Sequence, residues 1–77
     1  MIAEHQRIVL TTDIEEDGLR YGDIGTVISV HNGGEAYTVE FMTLTGRTIG
    51  VVTLLASQVR PVASNDMQQA RPLAMAA

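Results

Sequence analysis

The chain has 77 residues, no cysteine and a net charge of −4, and all five of its basic residues are arginines. A chain of this length makes at most one small domain, buries only ~60–65% of its unfolded surface, and has no disulfide or thiolate-rich zinc site to reinforce it. Its apolar stretches fall far short of the ~20 residues that span a bilayer, and Met1-Ile2-Ala3-Glu4-His5-Gln6-Arg7 lacks the flank and core of a signal peptide, so a soluble cytoplasmic protein is expected.

Arg7-Ile8-Val9-Leu10-Thr11-Thr12 is rich in β-branched residues and predicts the first strand. Residues 13–22 are polar, with glycine at Gly18 and Gly22, and predict an irregular loop. Leu19 sits inside that loop as an apolar plug that would pin it to the core. Tyr21-Gly22-Asp23-Ile24 then leads into a second strand over residues 25–31. Asn32-Gly33-Gly34 supplies residues that tolerate positive φ, as a hairpin turn requires.

The clearest pattern follows. Over residues 36–43, Tyr37, Val39 and Phe41 alternate with Thr38, Glu40 and Met42, so the first three face inward. Leu44-Thr45-Gly46 makes the next turn. Residues 47–54 predict a fourth strand with Val52 and Leu54 inward. Leu55-Ala56-Ser57-Gln58 suits one 3₁₀ turn, and Val59-Arg60-Pro61-Val62 a last short strand. Proline cannot donate to a ladder, so Pro61 belongs at an edge or a strand end.

The two-fold pattern stops at residue 63. Residues 63–77 are expected to form a flexible tail. The competing expectation is a short helix from Asn65 to Arg71, which would need docking to persist. Five short strands with tight turns bury one face by curling into a small barrel, here residues 1–62.

Charge is concentrated in one place. Residues 13–23 hold Asp13, Glu15, Glu16, Asp17 and Asp23 against Arg20 alone, and the remaining charges cancel. Such a segment repels a phosphate backbone, where nucleic-acid binders need clustered basic charge. It attracts a basic protein surface and speeds encounter with it. Tyr21 beside it is either a contact residue, as tyrosines often are at interfaces, or a ring lying across the barrel mouth.

Little points to catalysis or metal chemistry. Asp13-Ile14-Glu15-Glu16-Asp17-Gly18 imitates the start of a calcium loop, but Ile24 stands where the closing glutamate is needed. His5 and His31 are the only histidines and are expected at the surface. With no cysteine, and serine only at Ser29, Ser57 and Ser64, no nucleophile–base set is visible. A barrel this small is expected to lack a pocket of ~300 Å³ or more. Tyr21, Tyr37 and Phe41 are too few for the aromatic groove that reads proline helices.

A resemblance adds to this reading. Val9-Leu10-Thr11, Asp13-Ile14, Gly18-Leu19, Gly22-Asp23-Ile24-Gly25-Thr26-Val27, Ala36-Tyr37-Thr38-Val39-Glu40-Phe41, Gly46-Arg47-Thr48, Val52-Thr53-Leu54 and Val59-Arg60-Pro61 occur in that order. Together, over residues 4–62, they resemble a small bacterial family, common in cyanobacteria, filed as a domain of unknown function. The resemblance implies an all-β fold, a small five-stranded SH3-like barrel. It also implies an antitoxin or immunity role, because genes of that family often sit beside a short toxin-like gene. It brings no catalytic residues. Gly22-Asp23-Ile24-Gly25-Thr26-Val27 is also similar to an element of ribosomal and transcription-factor barrels, without the neighbouring basic residues that RNA binding needs.

The expected function is therefore non-enzymatic binding of another protein with a basic surface. Asp13, Glu15, Glu16, Asp17, Arg20, Tyr21 and Asp23 are the candidate contact residues. No catalytic residue, metal, cofactor, membrane or nucleic-acid partner is expected. The alternatives are an accessory or regulatory subunit that binds through an exposed strand edge, and a nucleic-acid-binding barrel, which the charge disfavours. Exposed edges would also permit a homodimer.

Overall fold

The computed structural model describes residues 2–73. Five antiparallel strands form one sheet: β1 (Arg7–Leu10), β2 (Ile24–His31), β3 (Ala36–Met42), β4 (Thr48–Leu55) and β5 (Val59–Pro61). Their order is β4-β3-β2-β1-β5, so β4 and β5 are the two edges. Yet Leu54 of β4 and Val59 of β5 belong to the same hydrophobic cluster. A flat sheet would hold its outermost strands far apart. The sheet therefore curls around one core, as the sequence predicts. Pro61 ends the edge strand β5, where no ladder donor is needed.

Period-two patterning places the core. Tyr37, Val39 and Phe41 of β3 are all buried, and Met42 is exposed. Leu54 is buried, and Val52 packs against the same cluster. Ile8, Leu10 and Val27 complete the centre. Two bulges interrupt the alternation. The β2–β3 register slips by one residue between Val27 and Ser29, leaving Ile28 unpaired and exposed. Inward positions then continue at Val30, opposite Tyr37. A second slip follows Phe41, which pairs with Gly50, while Met42 pairs with Thr48. Each extra residue bends its strand and increases local twist, which helps a short sheet to curl.

The turns follow their residues. Asn32, Gly33 and Gly34 all have positive φ, at 49°, 69° and 111°. The expected 3₁₀ turn is present at Ala56–Gln58. Gln58 Oε1 accepts the Leu55 N–H at 2.8 Å, and Thr11 donates its N–H to the Gln58 carbonyl at 2.9 Å, tying this turn to the end of β1. His31 differs from expectation. It is half-buried, and its Nε2 lies 2.7 Å from Thr38 Oγ1 across the β2–β3 pair, whereas His5 is exposed.

Residues 63–73 contain no helix, so the alternative of a helix from Asn65 to Arg71 is not realised. Instead this stretch lies back against the sheet, held by two arginine–aspartate pairs. The part of the expected tail beyond Leu73 lies outside the described residues. Among the described residues, no helix is long and apolar enough to cross a membrane.

Candidate interaction site

The β1–β2 connection is a built structure rather than slack chain. At its base, Leu10 and Gly22–Asp23 exchange backbone hydrogen bonds: the Leu10 N–H donates to the Asp23 carbonyl and the Gly22 N–H to the Leu10 carbonyl, both at 2.9 Å. Higher up, Ile14 and Leu19 form a two-way bridge, with N–H to carbonyl distances of 2.9 and 3.1 Å. Both side chains turn into the core, Ile14 at 7% exposure and Leu19 at 2%. The expected plug at Leu19 is present, and Ile14 is its partner.

Between the two bridge residues, Glu15–Asp17 forms one 3₁₀ turn closed by Gly18. The three acidic side chains are exposed, and none has an arginine within ion-pair reach among the described residues. In a 3₁₀ turn successive side chains splay about 120° apart, because there are three residues per turn. Glu15, Glu16 and Asp17 therefore radiate into solvent instead of converging. Among the described residues no three metal-ligating side chains gather into a metal-sized site.

The other candidate residues divide by role. Asp13 Oδ1 accepts the Tyr21 N–H at 2.7 Å, closing the loop from within. Asp23 Oδ2 accepts the Arg20 N–H at 2.9 Å. Asp23 also takes a two-pronged contact from Arg71: Nε donates to Oδ1 at 2.8 Å and Nη2 donates to Oδ2. Arg71 Nη2 further donates to the Gly18 carbonyl at 3.2 Å. Asp23 is thus neutralised from within the chain, and its pairing raises the pKa of Arg71. The outward charge of the loop becomes Asp13, Glu15, Glu16 and Asp17 against the exposed Arg20, a net −3.

Tyr21 is 70% exposed, so its ring does not close the core. It lies near Arg60 and adds a small upward push to the pKa of that guanidinium, after the larger effect of Asp66. Arg60 grips Asp66 with two hydrogen bonds of 2.9 Å, and the Ala63 N–H donates to Asp66 Oδ2 at 2.6 Å.

These contacts hold the Asp66 carboxyl well below the usual range, at about 2. Its folded pKa is depressed, so its contribution is complete above the ordinary value and disappears as pH falls through the folded one. The Asp66 carboxyl resonance should titrate with a midpoint near pH 2 in an NMR series. Arg60→Ala should raise that midpoint toward the ordinary value of about 3.9 without reaching it, because the Ala63 N–H still donates to the carboxylate.

A groove of about 470 Å³ runs beside the loop, between the sheet and residues 68–73. Leu19, Ile24, Phe41, Leu44 and Ile49 line its sheet side. The sequence predicts no space of this size. The five strands alone account for that expectation, and the returning C-terminal segment supplies the missing wall. Sequence reasoning also missed Arg71, Arg60 and Asp66 as partners. They entered the charge sum as residues that cancel in number, with no indication of position.

No curated protein and no solved structure matches the chain. The family model for DUF4926, a domain of unknown function, matches residues 4–61, a span that takes in all five strands and the bridged acidic loop and stops at the last residue of β5. With well over half of its length matched, and the match ending where the sheet ends, this chain belongs to the DUF4926 family.

Proposed function

We propose that this protein is a non-enzymatic, SH3-like binding module that neutralises a basic protein partner, in the manner of an antitoxin or immunity protein. The SH3-like reading is supported by the strand order β4-β3-β2-β1-β5, the long β1–β2 loop and the 3₁₀ turn before β5. The observation that carries the functional reading is the Glu15–Asp17 turn, held out by the Ile14–Leu19 bridge with its carboxylates unmatched among the described residues. A fixed loop spends little conformational entropy on docking. Its field accelerates approach of a cationic surface. Exposed Tyr21 and Arg20 at the loop's base supply contacts specific to the partner.

The test uses the chain with its tip neutralised, Glu15→Gln, Glu16→Gln and Asp17→Asn. Partners captured by the wild-type protein at low salt are identified, purified and mixed with both forms in a stopped-flow instrument. Association of the neutralised form should be about tenfold slower at low salt, and the two rates should converge at high salt. Equal rates at every salt concentration would falsify the acidic-loop reading.

A second reading rests on β4. It is an edge strand of eight residues with no charge and no proline, and Val51 and Leu55 on it are exposed. Such an edge can accept a strand from a larger assembly, in which this chain would be an accessory subunit. Binding by that route would survive neutralisation of the loop and be lost on Val51→Lys.

A further inference from the structure

We infer that the groove beside the acidic loop is a docking site for an arginine-bearing extended segment of the protein partner, and that residues 68–73 occupy it as an intramolecular stand-in. This inference rests on the binding-module reading above and adds the chemistry of what is bound.

The receptor half of the site lies within the matched family domain. Asp23 offers both carboxylate oxygens, and the Gly18 carbonyl stands beside them. That is a fork-shaped acceptor set, suited to a planar guanidinium and poorly matched to a lysine ammonium. Next to it lies an apolar trough with Leu19, Ile24, Phe41 and Ile49 on its floor. Leu44, on the β3–β4 turn, stands at its rim with 67% of its surface exposed. The trough and the fork together specify arginine followed by apolar side chains.

The occupant comes from outside the matched span, which ends at residue 61. In Gln68-Gln69-Ala70-Arg71-Pro72-Leu73, only Arg71 and Leu73 are even partly buried. The segment fills its seat incompletely, since about 470 Å³ remains between it and the sheet. Its hold depends on the ion pair of Arg71, and a partly exposed pair of this kind adds little stability. A segment that presents an arginine to Asp23 and bulkier apolar groups to the trough would displace it. The carboxylates of Glu15, Glu16 and Asp17, on the same loop, favour arrival of such a cationic segment.

The proposal is tested on the full chain carrying Arg71→Ala, which frees the fork without altering the sheet. The probe is a capped synthetic peptide with the sequence of residues 68–73. Amide resonances of Gly18, Leu19, Asp23 and Ile24 in the ¹⁵N-labelled variant should shift saturably at peptide concentrations on the order of mM. The wild-type chain should bind the same peptide about two- to threefold more weakly, because its own tail competes at an effective concentration on the order of mM, comparable to the concentration at which the peptide binds. A peptide with alanine in place of its arginine should produce no saturable shift, and this comparison leaves the protein untouched. Equal binding by wild type and variant, equal binding of both peptides, or no binding to the variant overturns the inference. None of those results bears on the Glu15–Asp17 turn, whose failure would appear separately as unchanged association of the neutralised form.

Discussion

Gly25→Ala should destabilise the domain by about 3 kcal/mol, the upper end of what overpacking a core usually costs, and Gly25→Val should leave no folded population. Gly25 is buried in β2, directly opposite Phe41 of β3. A Cβ there would stand 2.5 Å from Val39 Cγ1, 2.9 Å from Phe41 Cε1 and 3.0 Å from the Glu40 carbonyl oxygen. None of these atoms is the free end of a flexible side chain. Val39 is β-branched and fully buried, Phe41 is 1% exposed, and the carbonyl belongs to the backbone. Something must move, and every neighbour is already close-packed.

A chain of this size has ~4–12 kcal/mol of total stability, and a thin core places it toward the lower end. Valine adds two further carbons in the same crowded place. Urea denaturation followed by circular dichroism checks both variants. Val39→Ala removes the nearest obstacle, so the double variant Gly25→Ala/Val39→Ala should be more stable than the two single losses predict, by 0.5 kcal/mol or more. Strict additivity would mean that the clash at Val39 does not limit the site.

Leu19→Ala should cost about 3 kcal/mol, within the range measured for truncating a buried leucine. The residue is 2% exposed although it belongs to a connecting loop. Its side chain joins the cluster formed by Ile8, Leu10, Phe41 and Leu54. Truncation removes apolar burial and also loosens the two-way bridge to Ile14. Hydrogen exchange at the Ile14 and Leu19 amides should therefore accelerate by more than the global loss of stability accounts for. Glu16→Gln, on the exposed turn of the same loop, should stay within about 0.5 kcal/mol of wild type. If Leu19→Ala were as mild as Glu16→Gln, the loop would not depend on its plug.

Much of this fold is legible in the sequence because period two is a local signal. Tyr37, Val39 and Phe41 announce β3 by their spacing, and Asn32-Gly33-Gly34 announces its turn by residues that accept positive φ. The bulge at Ile28 is not legible. Strict alternation from Val27 would send Ser29 inward, and only pairing with β3 reveals the change to Val30. Leu19 is conspicuous as a large apolar residue between Gly18 and Arg20 in a polar segment. Ile14 carries the same chemistry, but its role depends on a bridge formed across the loop.

Charge shows the opposite balance. Composition locates the acidic segment, yet it does not reveal that Asp23 meets Arg71, 48 positions away. Nor does it separate Asp13, which organises the loop, from Glu15, Glu16 and Asp17, which face solvent. The Asp23–Arg71 pairing depends on the path of the C-terminal segment, which has no periodicity to read, and the role of Asp13 depends on how the loop folds back on itself.

The bare rim of β4 has a colloidal consequence. Net repulsion between molecules vanishes near the sequence isoelectric point of about 4.8. Unpaired backbone groups along eight uncharged residues then meet copies of themselves with nothing to keep them apart. Mild acid is thus the condition in which this chain is most exposed to fibril growth, well before Asp66 takes up a proton.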